Sequence, residues 1–219
     1  MSQLDREKMR DIYDALGADE WDRFDKDIPS KVNLEIHQRF LAQFVKAGDR
    51  VLEIGAGPGR FTKQLIELDT KVIVTDISPV QIELNKENFA NSKNVESLEF
   101  RDICNTSKFS DGEFELVLAY GGPLSYAFDE AEIVLNNLFR ILKPQGMIAG
   151  SVISTLGAWH SIEADHICQM YKSSDLETLV NTRDRRFFVR GAYQRELVFP
   201  SAQIQPTRCT FSVRILEYL

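Results

Sequence analysis

The sequence predicts a doubly wound α/β fold with a mostly parallel, seven-stranded sheet and helices on both faces. Three observations predict it: short apolar segments recur between residues 50 and 154, helix-like segments separate them, and the first apolar segment ends in a glycine-rich turn. Strands that are apolar at consecutive positions are buried on both faces, and their alternation with helices is typical of a parallel sheet.

The elements of this core follow from apolar patterning and from start and stop signals. Ser78 and Pro79 open one helix, as an N-cap and a first helical residue. Five core strands are expected, over residues 50–54, 71–76, 97–102, 114–120 and 147–153, and helices over residues 59–68, from 79 onward, and over 129–142.

The chain divides into three parts around this core. Residues 1–46 are expected to form two helices, over 3–17 and 31–46, joined by an irregular Asp-rich stretch. Residues 47–155 are the core itself. Residues 156–219 are expected to complete the same domain with its last strands, including the antiparallel end of the sheet. The final strand-like segment stops abruptly, so the native chain either ends there or continues.

Composition excludes several functions. With 26 basic and 33 acidic residues the net charge is −7, which disfavours non-specific binding to a nucleic acid backbone. The basic cluster at residues 183–190 is either a solvated face or a phosphate-binding patch. Three widely spaced cysteines indicate neither a disulfide framework nor a zinc site, so no metal is predicted.

The location expected from these features is cytoplasmic. Reduced thiols favour the cytosol, the charged N-terminus is unlike a signal peptide, and no apolar run reaches the length of a membrane span. The chain is expected to be a monomer or a homodimer without nucleic acid or membrane partners.

The glycine loop after the first strand carries the main functional signal, and it reads Glu53-Ile-Gly-Ala-Gly-Pro-Gly59. Glycines allow a ligand to approach the backbone closely, and the N-terminus of the helix that follows presents free N–H groups. An acid, Asp76, ends the next strand. Together these features predict a nucleotide-binding crevice at the carboxyl edge of the sheet.

The loop differs from a dinucleotide-binding loop at two positions. Arg60 stands where the G-x-G-x-x-G pattern requires its third glycine. Glu53, two residues before the first glycine, would repel a pyrophosphate and attract a cationic amino group. The loop therefore favours a nucleoside that bears an amino acid over NAD.

At this point the sequence resembles the class I S-adenosylmethionine (SAM)-dependent methyltransferases, which have a Rossmann-like fold. The resemblance covers roughly residues 45–155. It rests on the loop segment 51–62, on residues 74–78 and 100–103, on the region of Tyr120, and on the string Leu138-Phe-Arg-Ile-Leu-Lys-Pro-Gln-Gly146. It implies SAM as the cofactor, S-adenosylhomocysteine as the product, and methyl transfer as the reaction.

The resemblance also implies roles for individual residues. Glu53 would contact, directly or through water, the methionine end of SAM. The backbone of Gly55, Ala56 and Gly57 would line that end, with Tyr120 or the adjacent backbone facing it. Asp76 would accept hydrogen bonds from the ribose hydroxyls. The adenine would pack on Ile77 and Ile103 and donate its amino group to Asp102. For Glu53, Asp76 and Asp102 a helix cap or a solvated strand end is the alternative.

The acceptor site of the family lies beyond the fourth strand, at residues 120–126. This segment lacks the Asn/Asp-Pro-Pro-Tyr/Phe string frequent in nucleic acid and protein N-methyltransferases, so it favours a small-molecule acceptor with a reactive O or N. Tyr126 either orients the acceptor or packs. His160 is a candidate general base or an ordinary surface histidine. We take His160 and Tyr126 as the catalytic candidates.

Residues 1–46 precede the core where related small-molecule enzymes place helices over the cofactor. They are therefore expected to form a lid, with Tyr13 against the cofactor, or else to pack onto the sheet. Residues 156–219 would supply the other wall of the acceptor site. The remaining alternatives are an RNA or protein methyltransferase and a SAM-binding protein without turnover.

Overall fold

Six parallel strands form the central sheet in the order β3-β2-β1-β4-β5-β8. The computed structural model describes residues 3–152, 186–188, 195–197 and 212–217. The strands of the sheet are β1 (Arg50–Ile54), β2 (Lys71–Asp76), β3 (Val95–Phe100), β4 (Phe114–Ala119), β5 (Leu142–Val152) and β8 (Ser212–Glu217). A separate antiparallel pair consists of β6 (Arg186–Phe188) and β7 (Arg195–Leu197).

Alternate residues of the central strands enter two hydrophobic clusters, one on each face of the sheet. Leu52 and Ile54 of β1 join the cluster that contains Leu138, whereas Val51 joins the cluster that contains Phe61. Both sets are buried, which explains why these strands are apolar at consecutive positions. The predicted doubly wound α/β class with a Rossmann-like sheet is confirmed.

The helices lie where glycines, prolines and capping side chains allow them to begin and end. Ser78 caps its helix as predicted, since its hydroxyl accepts a hydrogen bond from the Gln81 N–H at 3.1 Å. The helices are α1 (Gln3–Leu16), α2 (Asp19–Asp22), α3 (Ile28–Leu41), α4 (Arg60–Glu67), α5 (Pro79–Phe89), a 3-10 helix (Pro123–Glu130) and α6 (Ala131–Ile141).

The N-terminal part differs from the sequence prediction. Residues 18–30 were expected to be irregular, but they include α2 and the start of α3. The reason is an N-cap that sequence reasoning overlooked: the Asp27 carboxylate accepts a hydrogen bond from the Ser30 N–H at 2.7 Å, and Pro29 occupies the first turn. Helix α3 therefore begins at Ile28 rather than at residue 31.

The far edge of the sheet also differs. The C-terminal part was expected to supply an antiparallel end, whereas the strand it contributes among the described residues, β8, pairs parallel with β5. Six strands of the described chain join this sheet, so the count of seven stays a prediction. Within the described residues, the helices are all too short or too polar to cross a membrane.

Candidate functional site

The glycine loop joins β1 to α4 and has the backbone geometry that glycine permits. Gly59, the residue before α4, has a φ of 105°, and a Cβ there would lie 2.5 Å from the Phe89 ring. Gly55 has a φ of 67°, and a Cβ there would lie 3.0 Å from Pro123. Any larger residue at position 59 would collide with α5, so this glycine is required by packing as well as by φ.

Helix α5 holds the loop from behind. The side-chain amide of Asn85 donates to the Gly57 carbonyl at 3.1 Å, and that of Asn88 donates to the Pro58 carbonyl at 3.1 Å. The Ala56 N–H donates to the Thr75 carbonyl of β2 at 3.2 Å. The loop is therefore fixed by hydrogen bonds to two neighbouring elements before any ligand binds.

Asp76 is the buried acid at the carboxyl end of β2. Its Oδ2 accepts from the Gly57 N–H and its Oδ1 from the Ser78 N–H, each at 2.8 Å. Burial raises the pKa of Asp76 to about 6, and the two backbone N–H groups oppose this rise. Each carboxylate oxygen has a second lone pair, so Asp76 can still accept two hydroxyl hydrogen bonds.

A cleft opens above the loop and Asp76, at the carboxyl ends of the strands and beneath the N-terminal helices. Open α/β sheets bind ligands in this position, outside the carboxyl ends where the strand order reverses. The residues that line it come from α1, α2, the loops after β1, β2, β3 and β4, and the 3-10 helix: Met9, Tyr13, Glu20, Arg23, Ile54, Gly55, Gly57, Asp76, Ile77, Arg101, Asp102, Ile103, Gly121, Pro123 and Tyr126.

Most of the residues predicted to bind a cofactor meet in this cleft. Those on its wall are Tyr13, Gly55, Gly57, Asp76, Ile77, Asp102 and Ile103, together with the acceptor candidate Tyr126. Glu53, Ala56 and Tyr120 are not on the wall. Residues from the segments that follow β1, β2, β3 and β4 therefore converge on one concave site, as their positions after strand ends predicted.

Glu53 lies beneath the loop. It is 2% exposed, and the Thr62 hydroxyl of α4 donates to its Oε2 at 2.6 Å. Burial raises the pKa of Glu53 to about 8, and the nearby Asp76 carboxylate adds to the rise. In this arrangement the Glu53 carboxyl group does not line the cleft, so its contact with the methionine end of a cofactor, direct or through water, stays a prediction.

Tyr120 and Ala56 also lie inside the protein. The Tyr120 ring is 3% exposed and makes edge contacts with His37 and Phe61, with centroid separations of 4.7 and 5.0 Å. Ala56 is buried with the same cluster. The Tyr120 ring therefore packs α3 and α4 onto the sheet, and the backbone beside it, at Gly121, reaches the cleft instead.

Asp102 lies at the cleft with both oxygens engaged. Its Oδ1 accepts from the Cys104 N–H at 2.8 Å, and its Oδ2 lies 3.2 Å from Arg6 Nε of α1. Arg6 also donates to Glu130 at 2.7 Å. Helix α1 is thus tied to the loop after β3, at the acid that the family resemblance assigns to the adenine amino group.

The N-terminal helices α1 and α2, which were expected to form a lid, contribute residues to the cleft wall, and we refer to them as the lid. The Ser78 hydroxyl donates to Asp14 Oδ1 at 2.5 Å, and the Gln81 amide donates to the Tyr13 carbonyl at 2.9 Å. On the opposite side of the cleft, the Tyr13 hydroxyl donates to the Tyr126 hydroxyl at 3.3 Å. Burial raises the pKa of Tyr13 well above its usual value, so its phenol stays protonated and acts as a donor.

Sequence reasoning missed three charged residues on the wall: Glu20, Arg23 and Arg101. Glu20 and Arg23 lie on and just after α2, in the segment expected to be irregular. Arg101 directly precedes Asp102, and a position one residue from a predicted strand end was the signal available for it. His160, the predicted base, lies outside the described residues.

Comparison with known proteins shows what this domain resembles. Residues 51–146 match the family model described as a methyltransferase domain. None of the curated proteins matches the chain. The phosphoethanolamine N-methyltransferase 1 of Haemonchus contortus, solved with phosphoethanolamine and S-adenosylhomocysteine, is 26% identical with a TM-score of 0.53, over 68% of this chain and 32% of that chain.

Two further structures show the same fold. A protein of Methanococcus maripaludis described as a SAM-dependent methyltransferase has a TM-score of 0.51 and 19% identity over 79% of this chain and 78% of its own. The [4+2]-cyclase SpnF has a TM-score of 0.55 and 15% identity over 65% of this chain and 58% of its own. The matched part therefore spans about a third of the Haemonchus enzyme and over half of the cyclase.

The predicted resemblance is confirmed: residues 51–146 match a methyltransferase domain model, on a fold shared with Rossmann-like, class I SAM-dependent methyltransferases. The similar Haemonchus enzyme was solved with S-adenosylhomocysteine, the product form of SAM.

Proposed function

We propose that the cleft binds SAM and that the protein transfers its methyl group to an oxygen or nitrogen of a small-molecule acceptor. The observation that carries the proposal is the juxtaposition of Asp76 with Gly55 and Gly57 in one cleft under a lid. An acid at the end of β2 suits a ribose diol, and a side-chain-free loop beside it suits the sulfur substituent of the same nucleoside.

The residues present fit this cofactor. Asp76 would hold the ribose, Ile77 and Ile103 would flank the adenine, and Gly55 and Gly57 would line the amino-acid end. SAM supplies an electrophilic methyl group on its sulfonium. The protein's contribution is to align an acceptor opposite that group and to exclude water.

Tyr13 and Tyr126 are suited to orienting the acceptor. Their hydroxyls form a hydrogen bond of 3.3 Å between the lid and the 3-10 helix, and both residues line the cleft. Because Tyr13 keeps its proton, this pair positions an acceptor through hydrogen bonds. A hydroxyl acceptor would also need a general base, and His160 is the candidate we retain from the sequence.

Three observations support a small acceptor. The lid is tied to both sides of the cleft, by the hydrogen bond from Ser78, before α5, to Asp14 and by the bond from Tyr13 to Tyr126 of the 3-10 helix, so it spans the cleft. The net charge of −7 disfavours a nucleic acid substrate. The similar Haemonchus enzyme was solved with phosphoethanolamine, which is a small molecule.

The cofactor part of the proposal is tested by titration calorimetry with SAM, S-adenosylhomocysteine and NAD. We expect the two sulfur nucleosides to bind and NAD to bind weakly or not at all. Asp76→Ala should weaken S-adenosylhomocysteine at least tenfold, because it removes an acceptor of two hydroxyl hydrogen bonds. Asp111→Ala, at an exposed acid away from the cleft, is the matched control. Binding of NAD alone would refute the proposal.

The acceptor part is tested by incubating the protein with methyl-labelled SAM and three fractions of a cell extract: small metabolites, RNA and proteins. Label in the metabolite fraction, followed by mass identification of the product, is the expected result. Label in the RNA or protein fraction would mean that the acceptor is RNA or protein rather than a small molecule. Tight SAM binding without transfer to any fraction would indicate a SAM-binding protein without turnover.

A further inference from the structure

An ion pair on the lid faces the cleft and has no part in the roles given so far. Glu20 of α2 and Arg23, the residue after α2, form it, with Glu20 Oε1 3.1 Å from Arg23 Nη1. The Glu20 side chain is 11% exposed and that of Arg23 is 37% exposed. We call these two residues the α2 ion pair. Both line the cleft.

The α2 ion pair lies across the crevice between β1 and β4. A Cβ built on Gly57, after β1, would lie 3.7 Å from Glu20 Cγ, and one built on Gly121, after β4, would lie 3.5 Å from Arg23 Nη2. Strands β1 and β4 are parallel neighbours. The acid of the pair is therefore above the first loop and the base above the second.

The strand order gives the direction of a bound nucleoside. Asp76 ends β2, which lies on one side of β1, while β4 lies on the other. Of the residues expected around the adenine, Ile77 directly follows Asp76, and Ile103 follows β3, which lies on the side of β2 away from β1. A nucleoside with its ribose on Asp76 and its base toward β3 must direct its 5′ substituent toward β1 and β4, beneath the α2 ion pair.

The chemistry of the pair matches an amino-acid group. The guanidinium of Arg23 has one nitrogen on Glu20, and its buried Nε has no hydrogen-bond partner among the described residues. A carboxylate can accept two parallel bonds from such a group, and an ammonium can donate to Glu20. Glu53, the acid expected to meet the ammonium, is buried under Thr62 instead.

We propose that the α2 ion pair is the subsite for the zwitterionic amino-acid end of the bound nucleoside, with Arg23 receiving the carboxylate and Glu20 the ammonium. This rests on the proposed function, since it requires a sulfur nucleoside in the cleft. It also makes α2, which is a single turn, a specificity-determining element that closes on the ligand's amino-acid end.

The test compares two ligands that share adenine, ribose and sulfur. S-adenosylhomocysteine carries the amino-acid end, whereas 5′-methylthioadenosine carries a methyl group in its place. Calorimetry on the full chain should show that Arg23→Gln weakens S-adenosylhomocysteine about tenfold or more and leaves methylthioadenosine within about twofold of the wild type. Glu20→Gln should also weaken the affinity for S-adenosylhomocysteine, but by a smaller factor.

Two further variants control the comparison. Arg39→Gln removes another arginine of a surface ion pair, 2.7 Å from Glu35 on α3, and should change neither affinity. Arg23→Lys keeps the charge but loses the paired geometry, so its effect should be intermediate. If Arg23→Gln fails to fold, Arg23→Lys still tests the subsite, because the ratio of its affinities for the two ligands is measured in the same protein.

The outcomes separate this proposal from the proposed function. Equal loss of both ligands in Arg23→Gln, or no loss of either, would overturn the subsite. So would a wild-type protein that binds the two ligands equally well. A wild-type protein that binds neither ligand would instead overturn the proposed function itself.

Discussion

The floor and the lid of the cleft are built from different kinds of contact. The floor consists of strand ends and the glycine loop, and backbone N–H groups of Gly57 and Ser78 fix its buried acid, Asp76. The lid is attached through side chains, such as Ser78 to Asp14 and Arg6 to Asp102, several of them partly exposed. The floor is therefore pre-formed, whereas the lid is the part that a ligand can move.

The comparison predicts that the largest effects on stability come from the floor. Gly59→Ala places a Cβ 2.5 Å from the Phe89 ring at a φ of 105°, so we expect a loss of about 2–4 kcal/mol in the free energy of unfolding, from strain and overpacking. Urea denaturation of the variant and the wild type measures this loss.

Gly48→Ala is the matched control for this substitution. Gly48 has a φ of 85°, but a Cβ there meets nothing within 4 Å, so the backbone cost remains without the collision. We expect a loss of about 1 kcal/mol. Equal losses in the two variants would mean that the loop is not packed against α5.

Sequence patterns located the floor because the signals for it are local. A strand, its following glycines and the acid that ends the next strand are each visible within a few residues, and parallel pairing brings them together. The inward orientation of Glu53 is also encoded in the strand pattern. It shares a strand face with Val51, whose cluster includes Phe61 of α4, so its side chain points toward that helix.

A lid was expected from the resemblance, but the positions of its side chains could not be predicted in the same way. Helix α2 has four residues, three of them acidic, and no apolar periodicity. Its position depends on tertiary contacts, including the Arg60–Asp25 ion pair at 2.8 Å and the Trp21 and Phe89 rings at 6.4 Å. No single segment of the sequence encodes those pairings, so Glu20 and Arg23 were visible only once the chain had folded.

Beneath the floor, Glu53 should make stability depend on pH. Its pKa rises from 4.5 to about 8 on burial, so the folded state binds the proton more tightly than the unfolded state. The resulting stabilisation is fully present below pH 4.5 and is lost as pH rises toward 8. Glu53→Gln removes this titration, so relative to the wild type it should gain stability between pH 5 and pH 8, by an amount on the order of a few kcal/mol.

Urea denaturation of both proteins at the two pH values measures this difference. Glu67→Gln, at an exposed residue of α4, is the control and should show no change with pH relative to the wild type. If the difference in unfolding free energy between Glu53→Gln and the wild type is the same at pH 5 and pH 8, Glu53 is ionised in the folded protein at both pH values.

Ligand affinity should also depend on pH, through Asp76. The pKa of Asp76 is raised to about 6, and the ionised form is the one that accepts hydroxyl hydrogen bonds through both oxygens. Affinity for methylthioadenosine should therefore be constant from pH 7 to 8 and fall by up to about tenfold per pH unit below 6. This ligand lacks the amino-acid end, so the titration of Glu20 contributes little. In Asp76→Asn the dependence should disappear, and its persistence would assign the titration to another group.

The smallest effect is expected from the lid, and it should appear in kinetics rather than in stability. Asp14→Asn weakens the bond from the Ser78 hydroxyl, which joins α1 to α5 at 2.5 Å. Because the contact is partly exposed, the cost in unfolding free energy should stay below about 1 kcal/mol. The lid should open more often, however, so dissociation of S-adenosylhomocysteine, followed by stopped flow, should become roughly two- to fivefold faster. Asp11→Asn, on the same helix at an acid paired with its neighbour Arg10, should leave the rate unchanged. If both variants dissociate at the wild-type rate, α1 is as fixed as the floor and the contrast between the two regions fails.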